Sequence, residues 1–64
     1  MRVNGKEIPL NKPCTLEAFL KQEGYVLERV AVEKNGEIVP KIAFGTEQLT
    51  NDDRLEVVSF VGGG

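Results

Sequence analysis

Two Asn-Gly dipeptides, Asn4-Gly5 and Asn35-Gly36, constrain what this chain can fold into more than any other feature, because each sits between short runs of apolar residues. A two-residue loop of this composition tolerates positive φ at both positions and closes a tight antiparallel hairpin. Met1 and Val3 alternate with Arg2 before the first turn, and Ile8 and Leu10 alternate on the return. Val30, Ala31 and Val32 lead into the second turn, from which Ile38 and Val39 return. Pro9 has no backbone donor, so the first return strand is predicted to be an edge or to end near it, and Pro40 stops the second. At 64 residues the chain is expected to form one domain. A domain of this size buries only about 60% of its unfolded surface, which leaves no room for a deep, walled active site.

Between the hairpins the apolar period changes. Asn11 to Cys14 breaks the alternation, and Leu16, Phe19 and Leu20 then fall at i, i+3 and i+4 with polar residues on the remaining faces. This spacing predicts one short amphipathic helix. Thr15 is placed as its N-cap, Glu17 suits the positive end of its dipole, and Gly24 suits the left-handed stop. About two turns of helix do not persist alone in water, so the helix must pack on the sheet. Tyr25 to Arg29 reads as a connector. Lys41 to Asn51 reads as an irregular segment anchored by Ile42, Phe44 and Leu49, after which Asp52-Asp53 turns the chain into its most β-prone stretch, Leu55 to Val61. The order favours an α+β domain, a mixed sheet of about five strands with one helix on one face.

Composition excludes several functions. Histidine is absent, which removes the commonest general base near neutral pH and the commonest zinc ligand. Asp52-Asp53 has no calcium-loop spacing around it, so no metal site is expected. The eight Lys and Arg are scattered and the net charge is −2, so no nucleic-acid partner is expected. No charged leader with an apolar core opens the chain, no run approaches the ~20 residues of a membrane span, and one cysteine gives no disulfide framework. A cytoplasmic, membrane-free protein is the expectation. Cys14 is read as a small, partly buried side chain rather than a reactive thiol.

The last strand leads directly into Gly62, Gly63 and Gly64. A side-chain-free tail of three residues reaches roughly 10 Å when extended and enters channels closed to other residues. The Gly64 carboxylate is the expected reactive group. On the strand itself, Leu55 and Val57 share one face, and Glu56, Val58 and Phe60 the other. Glu56 belongs outside, so Val58 and Phe60 are expected to be exposed beside the tail, a docking surface with Val61 at its end. The alternative is that this face packs on the segment around Phe44.

The N-terminal hairpin, the single helix, Asn35-Gly36-Glu37-Ile38-Val39-Pro40, the acidic turn before Leu55 and the terminal diglycine together resemble the thiamin-biosynthesis sulfur carriers of the ubiquitin-like β-grasp superfamily. Asn51-Asp52-Asp53 stands where that family usually has an Asp-Gly-Asp or Gly-Asp turn. The resemblance implies a single β-grasp domain over residues 1–61 and a flexible glycine tail over 62–64. It implies a carrier and co-substrate rather than an enzyme, with no catalytic residue and no bound cofactor of its own. An adenylating enzyme of the ubiquitin-activating type would activate Gly64 with ATP and magnesium. A sulfur donor such as a cysteine desulfurase would convert the adenylate to a thiocarboxylate, and a thiazole synthase would consume it. Two other readings stay open: a carrier of the molybdopterin synthase small-subunit type, and a ubiquitin-like modifier or interaction module.

Overall fold

The computed structural model describes residues 1–60, and in it both Asn-Gly turns take the conformation their composition requires. Asn4 and Gly5 have φ of 51° and 84°, and Asn35 and Gly36 have 53° and 88°. Positive φ at both central positions matches the right-handed twist of the flanking strands, which is why each turn closes a hairpin. The first joins β1 (Arg2–Val3) to β2 (Lys6–Glu7), and the second joins β4 (Val30–Lys34) to β5 (Glu37–Val39). β2 stops at Glu7, short of the Ile8–Leu10 alternation, and beyond it the Leu10 amide and carbonyl bond to the Asn51 side chain instead of to a strand.

The final strand, β7 (Arg54–Ser59), runs through the middle of the sheet, parallel to β1 and antiparallel to β4. Strand order is β2-β1-β7-β4-β5, a mixed five-stranded sheet. Each turn asparagine also anchors β7. Asn4 donates from Nδ2 to the Val57 carbonyl (3.1 Å) and accepts the Val57 amide at Oδ1 (2.8 Å), so its side chain continues the ladder where β1 turns away. Asn35 Oδ1 accepts the Arg54 amide at 2.9 Å, and Nδ2 donates to Asp53 Oδ1 at 3.0 Å.

One helix, α1 (Leu16–Gln22), covers one face of the sheet. The Thr15 hydroxyl accepts the Ala18 amide at 3.1 Å, and Gly24 follows with φ +87°, the expected cap and stop. Leu16, Phe19 and Leu20 face inward onto Val3, Val30, Val32, Leu55 and Val57, each at most 6% exposed. The connector contains a single 3-10 turn, Leu27–Arg29.

The segment from Lys41 to Asn51 corrects two expectations. Cys14–Thr15 and Gln48–Leu49 pair as a separate two-stranded ladder, β3 with β6; strands of two residues are too short to show alternation. Phe44 and Leu49 are buried anchors, but Ile42 is 93% exposed. Its position follows from the 3-10 turn at Lys41–Ala43, whose three residues per turn put Lys41 and Phe44 on one side and Ile42 on the other. Lys41 folds back on the main chain, its Nζ donating to the Val30 carbonyl at 2.9 Å.

Around the acidic turn, Lys34 Nζ lies 2.7 Å from Glu47 Oε2 and 3.9 Å from Asp53 Oδ2. The hydrogen bond to Glu47 raises the Lys34 ammonium above its ordinary value despite burial. Burial pushes the Asp53 carboxyl up, but bonds from Asn35 and Thr50 and the Lys34 charge outweigh it and hold it below its ordinary value. A carboxyl lowered in the folded state stabilises the fold fully above its unfolded pKa of about 3.9, and that stability is lost as pH falls through the lower folded value. Lys34, raised, contributes below about 10.4 and loses its contribution at higher pH. An Asp53→Asn variant is therefore expected to lose less stability than the parent on acidification below about pH 4, read as melting temperature against pH.

Candidate functional site

Among the described residues nothing covers the face of the sheet opposite α1, and the alternation of β7 decides what that face carries. Leu55 and Val57 point into the core, at 0% and 6% exposure, so Glu56 and Val58 point away from it. Val58 is 56% and Phe60 59% exposed. Phe44 is buried with the core on the helix side, where its carbonyl accepts the Glu17 amide at 2.9 Å, so the open face does not pack against that segment.

Two residues without a role in the sequence reading extend this surface. The β4–β7 register sets Ala31 opposite Val58, and the β4–β5 register sets Ile38 opposite Glu33. Ile38 is 76% exposed. With Glu33 and Glu56, these side chains line a shallow depression of about 130 Å³. The alternation of Ile38 with buried Val39 held the signal, but only the pairing register shows that it lies on the same face as Val58. Exposed apolar side chains gathered in this way mark interaction surfaces.

At the end of β7 the Phe60 amide donates to the Arg29 carbonyl at 2.7 Å, continuing the β4–β7 pairing past Val30 and Ser59. The described residues therefore end at the junction of the Leu27–Arg29 turn with β4, beside the apolar end of the open face. Val61, Gly62, Gly63 and Gly64 lie outside the described residues.

Elsewhere the chemistry is sparse. Cys14 is half-buried, stands opposite Leu49 in the β3–β6 ladder and packs against the core. Among the described residues no three His, Cys, Asp or Glu side chains gather as a metal site would need, and no helix is long and apolar enough to cross a membrane.

The family model described as the ThiS family matches residues 1–64. A protein named sulfur carrier protein ThiS from Bacillus subtilis is 37% identical over 67 aligned residues, covering 100% of this chain and 98% of its own. A thiazole synthase from Paramagnetospirillum magneticum is 42% identical over 62 residues, 97% of this chain but 19% of the synthase, so the chain spans about a fifth of that relative's length. The crystal structure of a thiamine biosynthesis protein (ThiS) from Geobacter metallireducens superposes with a TM-score of 0.81 at 30% identity, covering 98% of this chain and 96% of that one.

Proposed function

This chain belongs to the ThiS family, matched over residues 1–64, and on that footing we propose that it carries sulfur for thiamin biosynthesis on the carboxylate of Gly64. The observation that carries the reading is the open face of β7 and β4, whose apolar residues run up to Phe60 and thus to the last four residues before that carboxylate. A sheet face docks and a glycine terminus is delivered. ATP, magnesium and all acid and base groups belong to the partner enzymes, which is consistent with a chain that has no histidine.

The chemistry proceeds in three steps on the terminal carboxyl group: substitution at phosphorus, then at the carbonyl carbon, then at sulfur. A carboxylate, ionised at neutral pH with an ordinary pKa of about 3.3 to 3.7, is a poor acyl donor and needs activation. In the adenylating enzyme, a Gly64 oxygen attacks the α-phosphorus of ATP, pyrophosphate leaves, and an acyl-adenylate forms. The terminal sulfur of a persulfide then attacks the carbonyl carbon and expels AMP, leaving an acyl persulfide. A thiol then attacks the donor's own sulfur, the one not bonded to the carbonyl carbon. The S–S bond breaks, a disulfide forms between the thiol and the donor, and the Gly64 thiocarboxylate leaves, with the thiol's proton passing to solvent. A cysteine desulfurase is the class of enzyme that supplies the persulfide, and a thiazole synthase the class that consumes the product. Support for the second partner is that a chain named thiazole synthase contains a segment 42% identical to this one. The cytoplasm, where thiols stay reduced, suits such chemistry.

ATP–pyrophosphate exchange by the adenylating enzyme tests the docking half of this reading. The parent chain is expected to stimulate exchange, and Phe60→Ser to require a higher carrier concentration for the same rate while melting within a few degrees of the parent, because a half-exposed aromatic contributes to a partner interface rather than to the core. A large fall in melting temperature would place Phe60 in the core instead. No stimulation by the parent would remove adenylation from the account.

A further inference from the structure

We propose that the open face receives an arginine of the adenylating partner, its guanidinium bridging Glu33 and Glu56 and its aliphatic stem lying on Ala31, Ile38 and Val58. This inference rests on the adenylation reading above. The β4–β7 register sets Glu33 directly opposite Glu56. Side chains in that relation have Cβ atoms about 4.5 to 5.5 Å apart, and like charges so placed destabilise the free sheet. Among the described residues neither carboxylate has an ion-pair partner. Arg54, two residues before Glu56 on the same face, makes no ion pair with it, whereas Glu7 at the far edge is matched by Arg2 at 3.4 Å. Two unmatched acids flank an apolar depression, and that combination fits one kind of side chain.

A long aliphatic stem with a cationic head buries its methylenes on apolar surface and keeps its charge at the rim. Between the two candidates, the guanidinium is the better fit, since its planar fork of donors spans two carboxylates and it is more weakly hydrated than an ammonium. The cost that the acidic pair imposes on the free protein is relieved only in the complex, so the charge acts in recognition and not in folding.

The test is a binding titration of the parent and of Glu33→Gln/Glu56→Gln against the adenylating enzyme encoded in the same genome, repeated at rising ionic strength. The double variant is expected to bind at least about tenfold more weakly and with a flatter salt dependence. Its melting temperature should equal or exceed the parent's, because the like-charge contact is gone. Glu17→Gln/Glu23→Gln, on α1 and at its C-cap, makes the same change in net charge on the helix side of the sheet and should leave affinity close to the parent's. In double-mutant cycles one arginine of the partner should couple to Glu33 and Glu56. Unchanged affinity in Glu33→Gln/Glu56→Gln, equal weakening by both pairs of substitutions, or coupling to no partner arginine would each overturn the inference while the parent is still adenylated. A parent that receives no AMP from the enzyme would remove the adenylation reading and this inference with it.

Discussion

Removal of Gly64 is expected to leave the protein folded and to reduce adenylate formation at least a hundredfold at equal carrier concentration. The shortened chain still ends in Gly-Gly, so its carboxylate has the same acidity and the same freedom from side chains. It is set back by one residue, roughly 3.5 Å along an extended chain. A misplacement of about 1 Å can already cost a hundredfold when two reacting atoms must meet, so position alone accounts for the loss. The docking face is untouched, and binding to the adenylating enzyme should therefore change far less than the rate. Normal thiocarboxylate yield from the shortened chain would show that the partner does not measure the distance from the sheet to the terminus.

Phe19→Ala should have the largest effect on stability. The ring is 2% exposed and sits where α1 meets the sheet, and truncating a buried Phe typically costs about 3 to 5 kcal/mol. Whole domains are stable by about 5 to 15 kcal/mol, with small ones at the low end, so the variant should be largely unfolded or melt at a far lower temperature. Thermal melts followed by circular dichroism measure this directly. A melting temperature within a few degrees of the parent's would mean that α1 is not what closes the core. Phe60→Ser, which removes an equally large ring from the exposed face, is the internal contrast.

How much of this was legible in the sequence depends on the length of each signal. The two Asn-Gly turns, the Leu16-Phe19-Leu20 stripe capped by Thr15 and stopped at Gly24, and the alternation of β7 were readable because turn chemistry and periodicity are local. Outward placement of Val58 and Phe60 followed from Glu56 sharing their face. The β3–β6 ladder was not readable, since two residues show no period, and neither was the exposure of Ile42, which depends on the 3-10 turn that sends Phe44 inward. The register that sets Ala31 opposite Val58 and Glu33 opposite Glu56 is a long-range property with no local sign. Nor did the sequence show that Asn4 and Asn35 serve twice, as turn residues and as side-chain partners of β7.

The central claim is that Gly64 carries sulfur, and the mass of the intact protein tests it most directly. Incubated with the adenylating enzyme, ATP, magnesium, a cysteine desulfurase, cysteine and a thiol, the chain should gain the mass difference of one oxygen replaced by one sulfur, with fragmentation placing the change on Gly64. The same change should fail to appear when ATP is omitted. An unchanged mass under the complete conditions, or a gain located at Cys14 instead of the terminus, would contradict the account.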